Sequence, residues 1–238
     1  MANFFKDNDD LQYYFDKGID WDTLVRTTEH EFADADGEGF STTEEAVGFY
    51  RDIIEMFGEF VAAEIKPYEK EIDEKGVELV DGEVVFPERL AGIFEKIQDL
   101  DLHGLTVPRE LGGMNAPMMV YFLNSEMMAR ADVSAMAHHG FHGGVAMAAL
   151  VFSALEGSSD VDPTTGRIND TRWKDVIAEI ASGEAWGCMD ITEPDAGSDM
   201  AALRAVGEQD EDGNWYVTGE KIFITSGHGK YHLSLIHI

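Results

Sequence analysis

The chain has 238 residues, of which 47 are acidic and 17 are Lys or Arg, so its formal net charge is −30. This charge argues against binding to nucleic acid or to an anionic membrane surface, because both need a basic face. Hydrophobic residues make up 44% of the chain, which is enough for a packed core and excludes a disordered acidic tail. The single cysteine excludes a disulfide framework within the chain and favours a reducing compartment.

The N-terminal region predicts neither export nor membrane insertion. Residues 1–14 lack the basic and apolar regions of a signal peptide. The longest apolar stretch, Val145–Leu155, is too short to span a bilayer. We therefore expect a cytoplasmic location and no integral membrane segment. Scattered aromatic residues up to position 40 predict a short helical extension that packs onto a larger body.

The pattern becomes helical at the capping-box spacing Ser41–Glu44, after which apolar residues recur every three or four positions. Pro67 is expected to end or kink this helix. Apolar residues around Asp81-Gly82 predict a loop or small hairpin, and Pro87 is expected to open the next helix. This half of the chain is therefore predicted to be mainly helical.

Two apolar helices are predicted over residues 116–131 and 134–154, followed by a surface loop over 156–170 and a short helix over 173–181. Short β-prone runs then lie between turn signals: Trp186–Ile191, Ala202–Gly207, Trp215–Thr218 and Lys221–Thr225. Helices followed by strands predict an α+β chain or two domains.

One acidic loop has the oxygen-ligand spacing of a calcium-binding EF-hand. Its positions one, three, five, six and twelve are filled by Asp34, Asp36, Glu38, Gly39 and Glu45. Glu at position five and Ser at position eight depart from the motif, and the sequence has no second loop of this kind. A calcium-binding helical module therefore stays a minor alternative to a solvated loop.

Histidine and cysteine residues are the other candidate ligands. His138, His139 and His142 lie close together, and His at i and i+4 can share a metal. No carboxylate or Cys within that stretch completes a site, which favours helix packing or the wall of a substrate pocket. Cys188 has no basic sequence neighbour, which favours a buried side chain over a nucleophile. No residue is therefore assigned as a metal ligand.

The segment Met189–Asp199 predicts a strand that runs into a turn. Thr192 and Ser198 supply hydroxyl groups, and Gly197 allows close approach of the backbone. Such groups at a strand end can bind an anionic or heteroaromatic ligand without Lys or Arg. The same residues are also typical of ordinary turns, so both interpretations stay open on the residues alone.

Several separated segments resemble the acyl-CoA dehydrogenase family. Ile191–Asp199 (ITEPDAGSD) resembles its flavin signature, and Trp215–Gly227 (WYVTGEKIFITSG) resembles its second signature. Upstream, Gly104–Gly113 and Asn124–Asp132 are similar to a loop and the following helix of the helical domain. The resemblance implies an α+β fold, with an all-α N-terminal helical domain followed by the start of a β-barrel-like middle domain.

The resemblance also implies a division of the chain. We expect an acidic N-terminal extension over residues 1–43, a helical domain over 44–184 and a truncated middle domain over 185–238. In the family a C-terminal helical domain supplies the catalytic carboxylate and the oligomer interface. We therefore expect a fragment that is inactive alone, with an unknown base and a tail, Leu233–Ile238, that matches nothing in the family pattern. Glu193 corresponds to the flavin loop and not to the base.

FAD is the cofactor that the resemblance implies. The positions that correspond to flavin contacts are Met189, Ile191, Thr192, Gly197, Ser198, Phe223, Ile224 and Thr225. Phe223 stands where many members of the family have Trp, so the apolar cover remains while an N–H donor is absent. Ser198 also corresponds to the substrate side, and His139 corresponds to the wall of the acyl pocket.

The implied reaction is α,β-dehydrogenation of an acyl-CoA thioester, as in fatty acid β-oxidation, with hydride transfer to flavin. The implied electron acceptor is an electron-transfer flavoprotein, and the full-length enzyme is expected to be a homo-oligomer. An acyl-CoA oxidase or a related flavin monooxygenase is the alternative within the same superfamily.

Overall fold

The computed structural model describes residues 2–237. The α-helices of this part of the chain are α1 (Asp9–Tyr13), α2 (Trp21–Thr28), α3 (Thr43–Phe60), α4 (Glu69–Lys75), α5 (Glu88–Asp99), α6 (Met118–Ala131), α7 (Val133–Leu155) and α8 (Lys174–Ala181). Its strands are β1 (Glu78–Val80), β2 (Glu83–Val85), β3 (Ser159–Val161), β4 (Ile168–Thr171), β5 (Gly187–Asp190), β6 (Val206–Gln209), β7 (Trp215–Thr218) and β8 (Tyr231–Ser234). A largely helical part followed by strands confirms the predicted α+β class.

Helix α3 begins one residue later than the predicted capping box. The hydroxyl of Thr42 accepts a hydrogen bond from the Glu45 amide at 3.1 Å, and the Glu45 carboxylate accepts from the Ser41 amide at 2.9 Å. The predicted box at Ser41–Glu44 was therefore wrong by one position. Pro67 lies in a 3₁₀ turn between α3 and α4, as expected for a residue that interrupts a helix.

The largest core cluster lies among the helices. Tyr50, Ile54 and Phe57 of α3 pack together with Phe5 and Phe15 of the N-terminal segment, and all five are almost fully buried. The N-terminal segment therefore contributes side chains to the helical core itself. None of the helices within residues 2–237 combines the length and apolarity that crossing a membrane requires.

A second core cluster lies between α7, α8 and the first sheet of the strand region. Val145 and Leu150 of α7 pack with Ile177 of α8, and Met189 and Leu233 of the sheet pack against them. This contact fixes the sheet on the side of the two helices.

The predicted loop over residues 156–170 was wrong, because β3 and β4 pair there as an antiparallel hairpin. Asp162 closes the turn: its carboxylate accepts hydrogen bonds from the amides of Thr164 and Thr165 at 2.7 and 3.2 Å. Gly166 completes the turn with a φ of +72°, in the region that favours glycine. In contrast, the small hairpin expected around Asp81-Gly82 forms as β1 and β2.

The strand region consists of two separate pairings. β5 and β8 are parallel, with Cys188 opposite His232, whereas β6 and β7 form an antiparallel hairpin. The strand predicted over Lys221–Thr225 does not form, because Phe223 and Ser226 have positive φ values of 58° and 60°. The strand predicted over Ala202–Gly207 lies further along the chain, as β6 (Val206–Gln209).

The tail that matched nothing in the family pattern is part of the sheet. Leu233 and Ser234 belong to β8, where they pair with Met189 and Asp190. His237 accepts a backbone hydrogen bond from Gly207 at 2.7 Å and donates one to the Ala205 carbonyl at 2.8 Å. Ile238 lies outside the described residues.

Candidate active site

The fold brings the two predicted flavin segments together. The amide of Ile222 donates a hydrogen bond to the Thr192 carbonyl at 2.9 Å, and the Lys221 ammonium donates to the Ile191 carbonyl at 3.1 Å. We call this contact between residues 189–199 and 221–227 the signature junction. It joins two segments that are separated in sequence. Only the resemblance to the flavin signatures had linked them.

An ion pair holds the signature junction. Lys221 Nζ lies 2.8 Å from Glu193 Oε1, and the same carboxylate accepts from the amides of Arg204 and Ala205 at 2.7 and 3.0 Å. The Lys221 hydrogen bond, together with these two amides, lowers the pKa of Glu193 to about 2, although burial acts against it. Glu193 is thus an ionised carboxylate that accepts hydrogen bonds from three donors and connects two loops. No general base is assigned within residues 2–237.

The residues predicted to contact flavin differ in what they present to solvent. The side chain of Met189 packs against the second core cluster, and Ile191, Thr192 and Ile224 are half-buried. The others are exposed: Gly197, Ser198, Phe223 and Thr225. Phe223 is 88% exposed, so its ring is open to solvent within the signature junction.

A groove of about 1000 Å³ opens beside the signature junction. Its apolar wall includes Val77 and Leu79 of the β1–β2 hairpin and Phe86, and its opposite wall is the loop over residues 224–229. His138 of α7 also lines it. An apolar groove with few convergent polar groups is the usual form of a small-molecule site.

Three buried histidines surround Trp186, and one of them, His138, also lines the groove. His138 stacks on the indole at 4.0 Å between ring centroids and 20° between planes, and its Nδ1 is hydrogen-bonded to the Ser226 hydroxyl. His103 packs edge-on against the same indole, and His142 packs against it at a tilt of 49°. We call these residues the histidine cluster. The sequence interpretation of His138 and His142 as packing residues fits this arrangement.

Burial keeps the histidine cluster neutral near pH 7. Desolvation lowers the pKa of His138 to about 4 and that of His142 to about 3, and neighbouring histidines add to the effect. Neither ring nitrogen of His142 has a hydrogen-bond partner among the described residues. The cluster therefore offers neutral, aromatic packing surface.

His139 lies on a different side of α7 from the groove. It lines a small cavity with Phe57, Leu102, Tyr121 and other side chains of the helical core. Burial lowers the pKa of His139 well below its usual value. The structure thus places His138, and not the predicted His139, at the groove, a distinction that depends on one residue of helical phase.

Two carboxylates of the candidate calcium loop, those of Asp34 and Glu45, are engaged elsewhere. Asp34 accepts from Arg167 at 2.8 Å, and Glu45 caps α3 through the Ser41 amide. Among the described residues, the group of potential ligand atoms close enough to share an ion comprises Cys188, Asp190 and His232. The EF-hand spacing in the sequence therefore does not produce convergent ligands.

The amino-acid sequence of this chain is similar to a known family and to known proteins. Residues 50–156 match the family model described as acyl-CoA dehydrogenase, N-terminal domain. The 3-methylmercaptopropionyl-CoA dehydrogenase of Ruegeria pomeroyi is 29% identical over 188 residues, covering 79% of this chain and 29% of that protein. Mitochondrial isovaleryl-CoA dehydrogenase of Oryza sativa subsp. japonica is 28% identical over 148 residues, or 62% of this chain and 32% of that protein. The chain spans about a third of the length of these relatives.

Solved structures show the same fold. Butyryl-CoA dehydrogenase from Megasphaera elsdenii has a TM-score of 0.61 and 17% identity, covering 78% of this chain and 43% of that one. Acyl-CoA dehydrogenase from Geobacillus kaustophilus has a TM-score of 0.60 and 20% identity, covering 83% and 44%. The family model and the relatives point to the acyl-CoA dehydrogenase family, and the solved structures share its fold, which confirms the predicted resemblance.

Proposed function

We propose that this protein is an FAD-dependent acyl-CoA dehydrogenase that removes hydrogen from the α- and β-carbons of a thioester. The observation that carries the proposal is the signature junction, where Thr192 meets Ile222 beside the groove. The relatives are named as dehydrogenases of several different CoA thioesters, so the proposal extends to the thioester class and not to one acyl chain.

The groups around the junction suit a flat heteroaromatic ring with polar edges. Phe223 offers an exposed apolar ring, and Thr225 and Ser198 offer exposed hydroxyls. A Cβ added at Gly197 would meet no atom within 4 Å, so the backbone is open to close approach there. These features fit FAD, which when bound would accept the hydride that leaves the β-carbon of the acyl group.

Each predicted contact has a distinct task in this proposal. The backbones of Met189, Ile191 and Ile224 and the Thr192 hydroxyl line one edge of the ring. Phe223 covers an apolar face, and the Thr225 hydroxyl donates to a polar edge. Hydrogen bonds of this kind stabilise the charge that develops as the α-proton leaves.

The groove is the proposed place for the acyl chain. Its wall of Val77, Leu79 and Phe86 excludes water from an apolar chain, while His138 and Ser226 form a polar boundary. Ser198 stays a proposed substrate contact. Electrons are proposed to leave through an electron-transfer flavoprotein, the acceptor that the family resemblance implies.

The test is anaerobic addition of acyl-CoA thioesters of graded length to the full-length holoprotein. We expect bleaching of the flavin absorption, followed by reoxidation on addition of electron-transfer flavoprotein. Rapid dioxygen uptake during turnover would instead identify an oxidase or a monooxygenase. A native protein that is folded but colourless, or a flavin that no thioester bleaches, would contradict the proposal.

A further inference from the structure

Three potential metal ligands converge on the sheet formed by β5 and β8. Cys188 and His232 are register partners on the two parallel strands, and Asp190 follows Cys188 by two positions. Since side chains alternate along a strand, Cys188 and Asp190 project from the same face. Cys188 Sγ lies 3.1 Å from His232 Nδ1 and 3.4 Å from Asp190 Oδ1, and Nδ1 lies 2.9 Å from Asp190 Oδ2. We call these residues the Cys188 trio.

The trio lies on the side of the sheet away from the second core cluster. The intervening residues Met189 and Leu233 pack against that cluster, so the trio projects in the opposite direction. Cys188 is fully buried, the Asp190 side chain is 16% exposed, and the His232 side chain is 46% exposed. The group is thus closed at the sulfur and open to solvent at the imidazole, which leaves room for entry of an ion and for a water ligand.

The donor set selects the kind of ion. One sulfur, one imidazole nitrogen and one carboxylate oxygen suit zinc and similar transition metals, whereas calcium and magnesium require oxygen ligands. Tetrahedral bonds of about 2.3 Å to sulfur and about 2.0–2.2 Å to nitrogen and oxygen separate the ligand atoms by about 3.3–3.6 Å. The observed separations of 2.9–3.4 Å need only a small outward movement to reach those values.

We propose that Cys188, Asp190 and His232 bind a zinc-like divalent transition-metal ion, with water in the fourth position. The bound ion would link β5 directly to β8, two strands that are otherwise joined by backbone hydrogen bonds. The thiol loses its proton to solvent as the metal–sulfur bond forms, so binding weakens as the pH falls. This site does not depend on the proposed flavin chemistry.

Without an ion, the trio would be a set of three hydrogen-bonding groups. In that arrangement the Cys188 thiol donates to Asp190 Oδ1, and a hydrogen on His232 Nδ1 is donated to Asp190 Oδ2. This ion-free arrangement is the alternative that the experiment must separate from a metal site.

The experiment is titration of the purified chain with Co²⁺, in the absence of flavin and thioester. We expect one equivalent to produce a thiolate-to-cobalt charge-transfer band and the visible bands of a tetrahedral cobalt ion, and Zn²⁺ to displace both. His232→Asn is expected to weaken binding by at least about tenfold, as loss of a ligand should exceed loss of an outer-shell partner. Cys188→Ser should abolish the charge-transfer band, because the thiolate is absent, and should weaken the visible bands of the bound cobalt ion.

His30→Asn is the matched control, because His30 is exposed and lies outside the trio. It should bind Co²⁺ with unchanged affinity. If Cys188→Ser fails to fold by circular dichroism, Asp190→Asn and His232→Asn decide the question, since both side chains reach solvent. A folded wild-type chain that shows no charge-transfer band, or a band that persists unchanged in His232→Asn, would overturn the proposal and favour the hydrogen-bonded trio.

Discussion

The helical region, residues 2–181, and the strand region, residues 187–237, are stabilised in different ways. The helices enclose a large apolar cluster with Tyr50 and Phe57 at its centre. The strands are held by polar ties such as Lys221–Glu193, while Val217 and Phe223 are 65% and 88% exposed. Burial of apolar side chains is therefore concentrated in the helical region, whereas the loops of the strand region depend more on polar contacts.

The largest expected effect is on the helical core. Phe57→Ala should lower the free energy of unfolding by about 3–5 kcal/mol, because Phe57 is 2% exposed and truncation leaves a cavity. Urea unfolding followed by far-ultraviolet circular dichroism measures the change. The control Phe122→Ala removes a side chain that is 54% exposed and should change the free energy by about 0.5 kcal/mol or less. Equal losses in both variants would contradict an apolar core centred on α3.

Removal of the Lys221–Glu193 ion pair should increase local opening of the strand region and leave the helices unchanged. Lys221→Met removes the lysine hydrogen bond from three acceptors, namely the carbonyls of Ile191 and Leu235 and the carboxylate of Glu193. We expect amide-exchange protection to fall in β5 and β8 while α3 keeps its protection. Lys70→Met, at an 83% exposed lysine, is the control. An equal loss of amide-exchange protection in both regions would show that the strand region does not open independently of the helices.

The two regions should also respond to acid in different pH windows. The lowered pKa of His142, about 3 against an ordinary 6.5, means that the unfolded chain binds protons first as the pH falls. The contribution of the histidine cluster to stability is therefore complete above pH 6.5 and is lost as the pH drops toward 3. His142→Leu should reduce the pH dependence of the urea midpoint between about pH 7 and pH 5, and the other buried histidines should account for the remainder. A midpoint with the same pH slope in the variant would exclude this role.

The contribution of Glu193 should be lost in a lower window. Its pKa is lowered from 4.5 to about 2 by Lys221, so its stabilisation is present above pH 4.5 and disappears as the pH falls toward 2. Glu193→Gln should remove that part of the acid response and leave the histidine window unchanged. Acid titration of the strand-region amides by NMR measures it.

A smaller effect is expected for a single proposed flavin contact. Thr225→Ala removes an exposed hydroxyl and should weaken FAD binding by about 3- to 10-fold, the equivalent of one hydrogen bond of about 0.5–1.5 kcal/mol. Quenching of flavin fluorescence measures the dissociation constant. Thr218→Ala, at an exposed position of β7, should leave the constant unchanged. A larger effect at Thr218 would move the flavin away from the signature junction.

The smallest expected effect has opposite signs for stability and binding. Phe223 has a φ of +58°, which costs a residue with a Cβ about 1–2 kcal/mol, so Phe223→Gly should stabilise the free protein by up to about 1 kcal/mol. The same change should weaken FAD binding through loss of the exposed ring. Phe223→Ala is the control, because it removes the ring and keeps most of the strain. Destabilisation by glycine would contradict the strained conformation.

Local patterns predicted the helices well and the strand region only in part. Apolar periodicity and Pro87 located α3 and α5, because those signals lie within one element. Lys221–Thr225 has the composition of a strand, yet Lys221 is drawn toward Glu193 and Ile191, contacts from 28 and 30 residues away. No local pattern encodes such a contact.

The candidate site was predictable to the same extent. The two signature segments could be recognised by resemblance, and their junction is consistent with it. His138 and His139 are neighbours in sequence, and only the packing of α7 decides which one reaches the groove. The Cys-x-Asp spacing at Cys188 indicates a shared strand face, but the approach of His232 depends on a parallel pairing that sequence spacing does not specify.

The parallel pairing of β5 with β8 also bears on the order of folding. Asp190 ends the first strand and Tyr231 begins its partner, so the whole β6–β7 hairpin must be accommodated before the two strands meet. Closing such a loop costs chain entropy before any contact compensates for it, whereas α6 and α7 follow one another directly. Refolding should therefore have a fast phase in which the helices pack and a slower phase in which β5 and β8 pair, and pulsed amide exchange at the two strands measures the slower phase. A nascent chain would pass through a state in which its helices are packed and its strand edges are still open to other chains.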